Sequence, residues 1–347
     1  MIRIILIILH NNKKRGIFAL FLHKKRSLIF PHKIINNSFQ QICIKKKSRN
    51  YVNFYIKSRN PTILNAIMSN VWGNLHMVKL VVCDIDNTLV PKHKQPSERT
   101  LACIHEFHKR GILFGLASGR DTSSLKDLAN QWGIHVDILI GNNGGEYQDE
   151  LTGEHDVLPK IKKEHLAEIF KIMEPFKDKV NTSMKVNGEH FVRRLDEQTM
   201  ASFKYHNNGK LPTVVEDESI FWSQDAYKVG FRTPADVMPE VEKQVSKYPS
   251  PYFKGFKTEF TMFEFAPQEA DKGKMLVRFC NSHNIPVEDS VAFGDMTNDV
   301  SLLLAAGKGV CLENGSEDAK AAADEITELS IEVDGFADYV EKHILNN

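Results

Sequence analysis

The 347-residue chain is short of cysteine, has no long apolar run, and over its first 78 positions contains no acidic residue. Each of these absences excludes something. The five cysteines (Cys43, Cys83, Cys103, Cys280 and Cys311) are odd in number, scattered and without a CxxC pair. They indicate neither a disulfide framework nor a thiolate zinc site, and they fit a reducing, cytoplasmic setting. The apolar run at Ile4–Leu9 is too short to span a bilayer and is broken by His10-Asn11-Asn12-Lys13-Lys14-Arg15, so no membrane span is expected. The stretch up to Val78 carries 14 Lys and Arg, which leaves 31 basic against 44 acidic residues for the rest. A basic tail and an acidic body argue against nucleic acid as the main partner. Residues 1–77 are expected to be a basic, disordered tail, with three readings open: a mitochondrial-type presequence, a weak secretory or membrane-surface segment, or translated sequence upstream of a start at Met68 or Met77. The body shows no internal repeat and no low-complexity tract.

The informative part begins at Val78. Lys79-Leu80-Val81-Val82-Cys83 reads as a strand buried on both faces, as in a parallel sheet, and it runs directly into Asp84-Ile85-Asp86. Strand side chains alternate sides, so Asp84 and Asp86 at its carboxyl end are expected to face one spot while Ile85 faces the other. Like charges that close repel unless a cation or a shared proton intervenes, and hard oxygen ligands suit Mg²⁺.

Around this stretch, strands and helices alternate. Helices are expected at 98–109 and from Asp121 or Thr122 to Trp132, and strands at 112–117 and 136–140, giving a doubly wound, Rossmann-like parallel sheet. After Glu146 the pattern changes: a helix at 161–176, then two strands flanking Asn187-Gly188, a strong hairpin signal. Further strands are expected near 213–215, 228–231, 252–257 and 260–265, with a helix at 237–247. The expectation is an α/β core at 78–157 and 267–347 carrying an inserted α+β cap domain at 158–266. The parallel pattern then resumes with a helix from Lys272, a strand at 290–293 ending in Gly294-Asp295-Met296-Thr297-Asn298-Asp299, and a strand at 309–312.

The polar clusters follow strand carboxyl ends, where open α/β sheets bind ligands. With Asp84-Ile85-Asp86-Asn87-Thr88-Leu89, Ser118-Gly119-Arg120, Lys272-Gly273 and Gly294-Asp295-Met296-Thr297-Asn298-Asp299 in that order, the chain resembles the haloacid dehalogenase superfamily, in particular its Cof-type phosphatases with a large α+β cap. The resemblance spans about residues 78–346. It implies a Mg²⁺-dependent phosphatase of small phosphorylated metabolites, sugar phosphates first, working through an aspartyl-phosphate. It further implies Asp84 as nucleophile, Asp86 as general acid and base, and Lys272 as the cation on the transferring group. Mg²⁺ would be held by Asp84, Asp86 through its backbone carbonyl, and Asp295, with Asp299 orienting that shell. Ser118, Gly119, Arg120, Asn143 and Asn298 are candidate phosphate or substrate contacts, and from the cap Lys185, His190, Arg193 or Arg194. Two departures stand out: Asn87 replaces a common glycine, and Glu313-Asn314-Gly315 replaces the usual Met-Gly-Asn, so no phosphate role is carried over to Asn314. The alternatives are a phosphomutase of the same superfamily and a non-enzymatic phospho-aspartate signalling module; the latter needs its aspartate at the end of the third strand, where Gly141-Asn142-Asn143 stands. Lys274 competes with Lys272. His105 and His108 share a helix face at metal-like spacing, but a solvated pair is the default reading. The sequence leaves the oligomeric state open.

Overall fold

The computed structural model describes residues 77–346 except 93 and 207–209, together with five backbone strands between residues 3 and 58. It divides into two compact units, Met1–His76 and Met77–Asn347. In the first, Arg3–Asn11 pairs antiparallel with Lys14–His23, which pairs with Arg26–Leu28, and Phe39–Lys47 pairs antiparallel with Tyr51–Ser58. Met68 and the readings that concern the start and destination of this stretch lie outside the described residues.

The second unit opens with β1 (Leu80–Cys83), every residue of which is fully buried. Val81 and Cys83 face one apolar layer and Leu80 and Val82 the other, as period-2 alternation requires of a strand covered on both sides. Then come α1 (Glu98–Lys109), β2 (Leu113–Ala117), α2 (Thr122–Trp132) and β3 (Ile138–Gly141). Ser97 caps α1 by accepting from the Thr100 amide, Asp121 caps α2 by accepting from that of Ser124, and Gly133 at φ 65° ends α2. The chain then turns through Asn142–Gly144 into an antiparallel edge hairpin, β4 (Glu146–Asp149) and β5 (His155–Val157). The sheet is therefore not wholly parallel. The sequence pattern hid this hairpin because its strands are short, polar and mixed in burial.

The inserted module contains α3 (Lys163–Met173), β6 (Asn181–Val186), β7 (Glu189–Val192), α4 (Glu197–His206), β8 (Thr213–Val214), β9 (Val229–Arg232), α5 (Met238–Val245), β10 (Phe253–Glu259) and β11 (Met262–Pro267). The β6–β7 hairpin turns at Asn187 (φ 49°) and Gly188 (φ 83°), the two positive values that a two-residue type I′ turn needs. Six strands pair in the order β8-β7-β6-β9-β11-β10. One face of this sheet carries Phe231, Phe263 and Phe265 and packs on Ile169 and Phe170 of α3 and Val241 of α5. By alternation the other face presents Ser183, Lys185, Gly230, Arg232, Met262 and Glu264, which line an open cavity.

The chain returns through α6 (Lys272–Ser282), β12 (Ser290–Gly294), α7 (Val300–Ala305), β13 (Lys308–Cys311), α8 (Glu317–Ala322), β14 (Glu325–Ile326) and α9 (Gly335–Val340). The eight-stranded sheet runs β5-β4-β3-β2-β1-β12-β13-β14, with the last six parallel. The two-residue β14 was too short to show in the sequence pattern. Strand order reverses between β1 and β12, the switch point at whose carboxyl ends an open α/β sheet binds its ligand.

Candidate active site

Asp84 and Asp295 each follow directly on the carboxyl end of one of these two central strands. Strand β1 stops at Cys83, so Asp84, Ile85 and Asp86 lie in the loop beyond it and alternation does not govern them. Asp84 and Asp86 both line one cavity, with Ile85 in the core, but the structure turns the two carboxylates onto different partners. Asn87 takes φ 65° in that loop, the left-handed region that asparagine tolerates better than most residues, so it fills the usual glycine position without a fold change. The Asn87 carbonyl accepts from Asn314, whose side-chain oxygen accepts from the Ile331 amide. Asn314 thus holds the loop in shape.

Lys272 begins α6 and is fully buried. Its Nζ donates to Asp84 Oδ1 at 2.7 Å and to Asp299 Oδ1 at 2.6 Å. Lys274 is exposed and pairs with Glu269, which decides between the two lysines. Gly273 is explained by packing: a Cβ there would overlap the Ser301 backbone, so only glycine lets α6 come close enough to α7 to bring Lys272 in. Asp299 Oδ2 accepts the amides of Asp295 and Met296, both at 3.1 Å, and Gly294 has no Cβ because that side chain occupies its space. Thr88 donates to Asp295 Oδ1 at 2.7 Å, while the buried Asp295 Oδ2 has no partner.

Carboxylate oxygens of Asp84, Asp295 and Asp299 lie within 4.8 Å of one another, all three buried. One ammonium faces three carboxylates. Burial and the neighbouring Asp299 push Asp84 up to about 8 despite Lys272. Burial, Asp84 and Asp299 likewise hold Asp295 well above the carboxylate range. Burial disfavours the Lys272 ammonium, but Asp299 and Asp84 outweigh it and hold the lysine above its ordinary value. A surplus of buried negative charge with an unpartnered oxygen aimed into it fits a hard divalent cation, since such a cation restores the ionised forms.

The other predicted residues divide. Asp86 lies outside the three-carboxylate cluster, and Arg120 grips it, Nη2 reaching both oxygens at 3.0 Å. Ser118 is buried and lines the cavity with Gly119 and Arg120. Asn143, at φ 55°, donates to Glu264 at 3.1 Å and accepts from Asn298 at 3.1 Å. Lys185 and His190 line the cavity, whereas Arg193 and Arg194 turn away to the carbonyls of Lys177 and of Asp178 and Val180. Three participants escaped the sequence reading: Thr88, Lys228 and Glu264. Lys228 Nζ donates to the Gly119 carbonyl at 2.9 Å and to Glu264 at 2.8 Å, tying the inserted sheet to two strand-end loops of the core. Alternation with Phe231, Phe263 and Phe265 was the available signal for Lys228 and Glu264. The cavity between these surfaces measures about 890 Å³.

A model of the haloacid dehalogenase-like hydrolase family matches residues 81–340. The chain belongs to this family. Among its relatives, Phosphatase YwpJ of Bacillus subtilis is 25% identical over 291 residues, covering 77% of this chain and 100% of the relative. The 5-amino-6-(5-phospho-D-ribitylamino)uracil phosphatase YcsE of the same organism is 24% identical over 268 residues, covering 77% and 96%. The structure of BT4131, a HAD subclass IIB sugar phosphatase, superposes with a TM-score of 0.62 at 22% identity over 76% of this chain and 98% of that one, a likeness of fold. This hydrolase is thus of the Cof type with a doubly wound core and a second α+β sheet. No helix among its described residues is long and apolar enough to cross a membrane.

Proposed function

We propose that this hydrolase is a Mg²⁺-dependent phosphatase of small phosphorylated metabolites, sugar phosphates first, that works through an aspartyl-phosphate on Asp84. The observation that carries the reading is the buried Asp84–Lys272–Asp299 arrangement beside the unpartnered Asp295 oxygen, at the switch point and beneath a polar sheet face. Relatives named as phosphatases, and a fold neighbour named as a sugar phosphatase, support it. In this reading residues 78–157 and 267–347 are the core, residues 158–266 the cap, and the four cysteines among the described residues of this unit, all buried and unpaired, suit a reducing cytoplasm.

Asp84, Asp295 and the Asp86 backbone carbonyl would hold Mg²⁺, with Asp299 positioning that set and Lys272. The ion supplies positive charge to the phosphoryl group and keeps Asp84 ionised. A carboxylate oxygen of Asp84 attacks phosphorus, the bond to the substrate oxygen breaks, and Asp86 gives that oxygen a proton. Asp86 then takes a proton from water as the water attacks the aspartyl-phosphate, releasing inorganic phosphate and restoring Asp84. Lys272 and Ser118 meet the transferring oxygens, and Arg120 holds Asp86 in place between its two tasks. The cap excludes water and contacts the leaving group through Lys185, His190 or Lys228, with Asn143 of the core beside them.

The test is phosphate release from a panel of phosphorylated metabolites with Mg²⁺ and with EDTA. Asp84→Asn is nearly isosteric, so it should abolish release while the protein stays folded. Wild-type turnover in that variant would overturn the mechanism.

A further inference from the structure

The helix pair His105 and His108 is not what the fold assembles: His105 is exposed, and His108 meets residues from another segment. Those residues are His135 and Asp137, which lead into β3 at its amino end, the end of the sheet opposite the catalytic carboxylates. We propose that His108, His135 and Asp137 form a second metal site, for one divalent transition-metal ion of the Zn²⁺ class, independent of the catalytic centre.

Asp137 is the anchor. It is only 2% exposed, and its Oδ2 accepts the Phe114 backbone N–H at 2.8 Å, so the carboxylate is held before any ion arrives. His108 Nε2 lies 3.0 Å from Oδ2 and His135 Nε2 lies 3.2 Å from Oδ1. One donor atom of each residue falls within 4.8 Å of the others, and the two rings meet edge to face at 5.0 Å. Tetrahedral Zn²⁺ with bonds of about 2.0–2.2 Å spaces its ligands about 3.3 Å apart; with one Asp137 oxygen as ligand, the nitrogen already beside it needs only a small adjustment, and the other nitrogen starts within 4.8 Å. Two imidazoles and one carboxylate suit Zn²⁺ and its neighbours, not Mg²⁺, and three protein ligands leave a position for water.

A structural role accounts for His108, which gives a buried carboxylate its hydrogen bond. It does not account for His135. That side chain is 65% exposed, and it gives up rotamer freedom for a contact with the second oxygen that water would supply as well. The same exposure gives an ion its way in. A bound ion would clamp the last turn of α1 to the segment entering β3.

The experiment titrates the full-length protein with Zn²⁺ in saturating Mg²⁺, which keeps the catalytic carboxylates occupied, following heat by calorimetry and, in a parallel Co²⁺ titration, visible absorbance. One site per chain is expected, with a rise in Tm on Zn²⁺ addition. In His135→Ala the loss of a direct ligand should weaken binding at least as much as the roughly 10- to 100-fold that outer partners cost, with no Tm response. His105→Ala should bind like wild type. The Mg²⁺-dependent phosphatase rate should be the same in His135→Ala. Undiminished binding in both His135→Ala and His108→Ala, or no site in wild type beyond those that Mg²⁺ blocks, would overturn the proposal.

Discussion

Replacing Lys272 with methionine keeps the buried stem and removes the ammonium that, among the described residues, touches both Asp84 and Asp299. Breaking a buried ion pair from one side costs about 3–5 kcal/mol, a large part of a total stability of about 5–15 kcal/mol. Here the cost should depend on pH. Asp84 is already raised to about 8 from an ordinary value of 3.8, so the native state binds a proton that the unfolded chain has released across that range. The stability this contributes is complete at and below the ordinary carboxylate value and is lost as pH rises through the native one, at about 1.4 kcal/mol per pH unit for each extra native-bound proton. Without the ammonium the native value moves higher still and the carboxylates protonate more readily. The Lys272→Met penalty should therefore be smallest at pH 5, where the native carboxylate is protonated, larger at pH 8.5, and complete only above the variant's own, higher native value. Urea unfolding of wild type and variant without divalent ions at the two pH values measures this, and Mg²⁺ should then restore more stability at pH 8.5 than at pH 5. A penalty equal at both pH values would show that Lys272 does not balance the carboxylates electrostatically and would refute the reasoning.

Arg120→Lys should lower kcat while leaving stability within about 1 kcal/mol, because a point charge cannot reproduce the two-oxygen grip on the partly exposed Asp86; steady-state kinetics with a denaturation curve checks both parts. Gly273→Ala should destabilise by about 1–3 kcal/mol through overpacking against Ser301 and should cost activity beyond that by displacing Lys272, read as a fall in Tm and in kcat together. Lys228→Met should raise KM more than it lowers kcat, since Lys228 ties the cap to the Gly119 loop and does not touch the catalytic carboxylates; an unchanged KM would remove it from substrate binding.

Local chemistry made much of the architecture readable. The both-face-buried run into Asp84, the capping residues Ser97 and Asp121, and Asn187-Gly188 each act within a few residues, so the helices and the hairpin they specify stand where the pattern placed them. The β4–β5 hairpin and β14 escaped because they are both short and largely polar, without the apolar run that marks strands of the same length such as β1. Within the site, the residue types at the strand ends were legible, but their pairing was not.

By itself the sequence determined which residues are charged, which segments must be buried, and therefore which strand ends carry the polar clusters at Asp84 and Asp86, Ser118, Asn143, and Asp295 with Asp299. Only the tertiary structure decided who touches whom. It ended β1 at Cys83 and so sent Asp86 to Arg120, chose Lys272 over Lys274 by burial, brought Thr88 to Asp295, and set Lys228 and Glu264 of a distant segment on Gly119 and Asn143. The reason is physical: propensity, capping and periodicity act over a few positions along the chain, whereas an ion pair is chosen by which groups packing leaves together and shields from water.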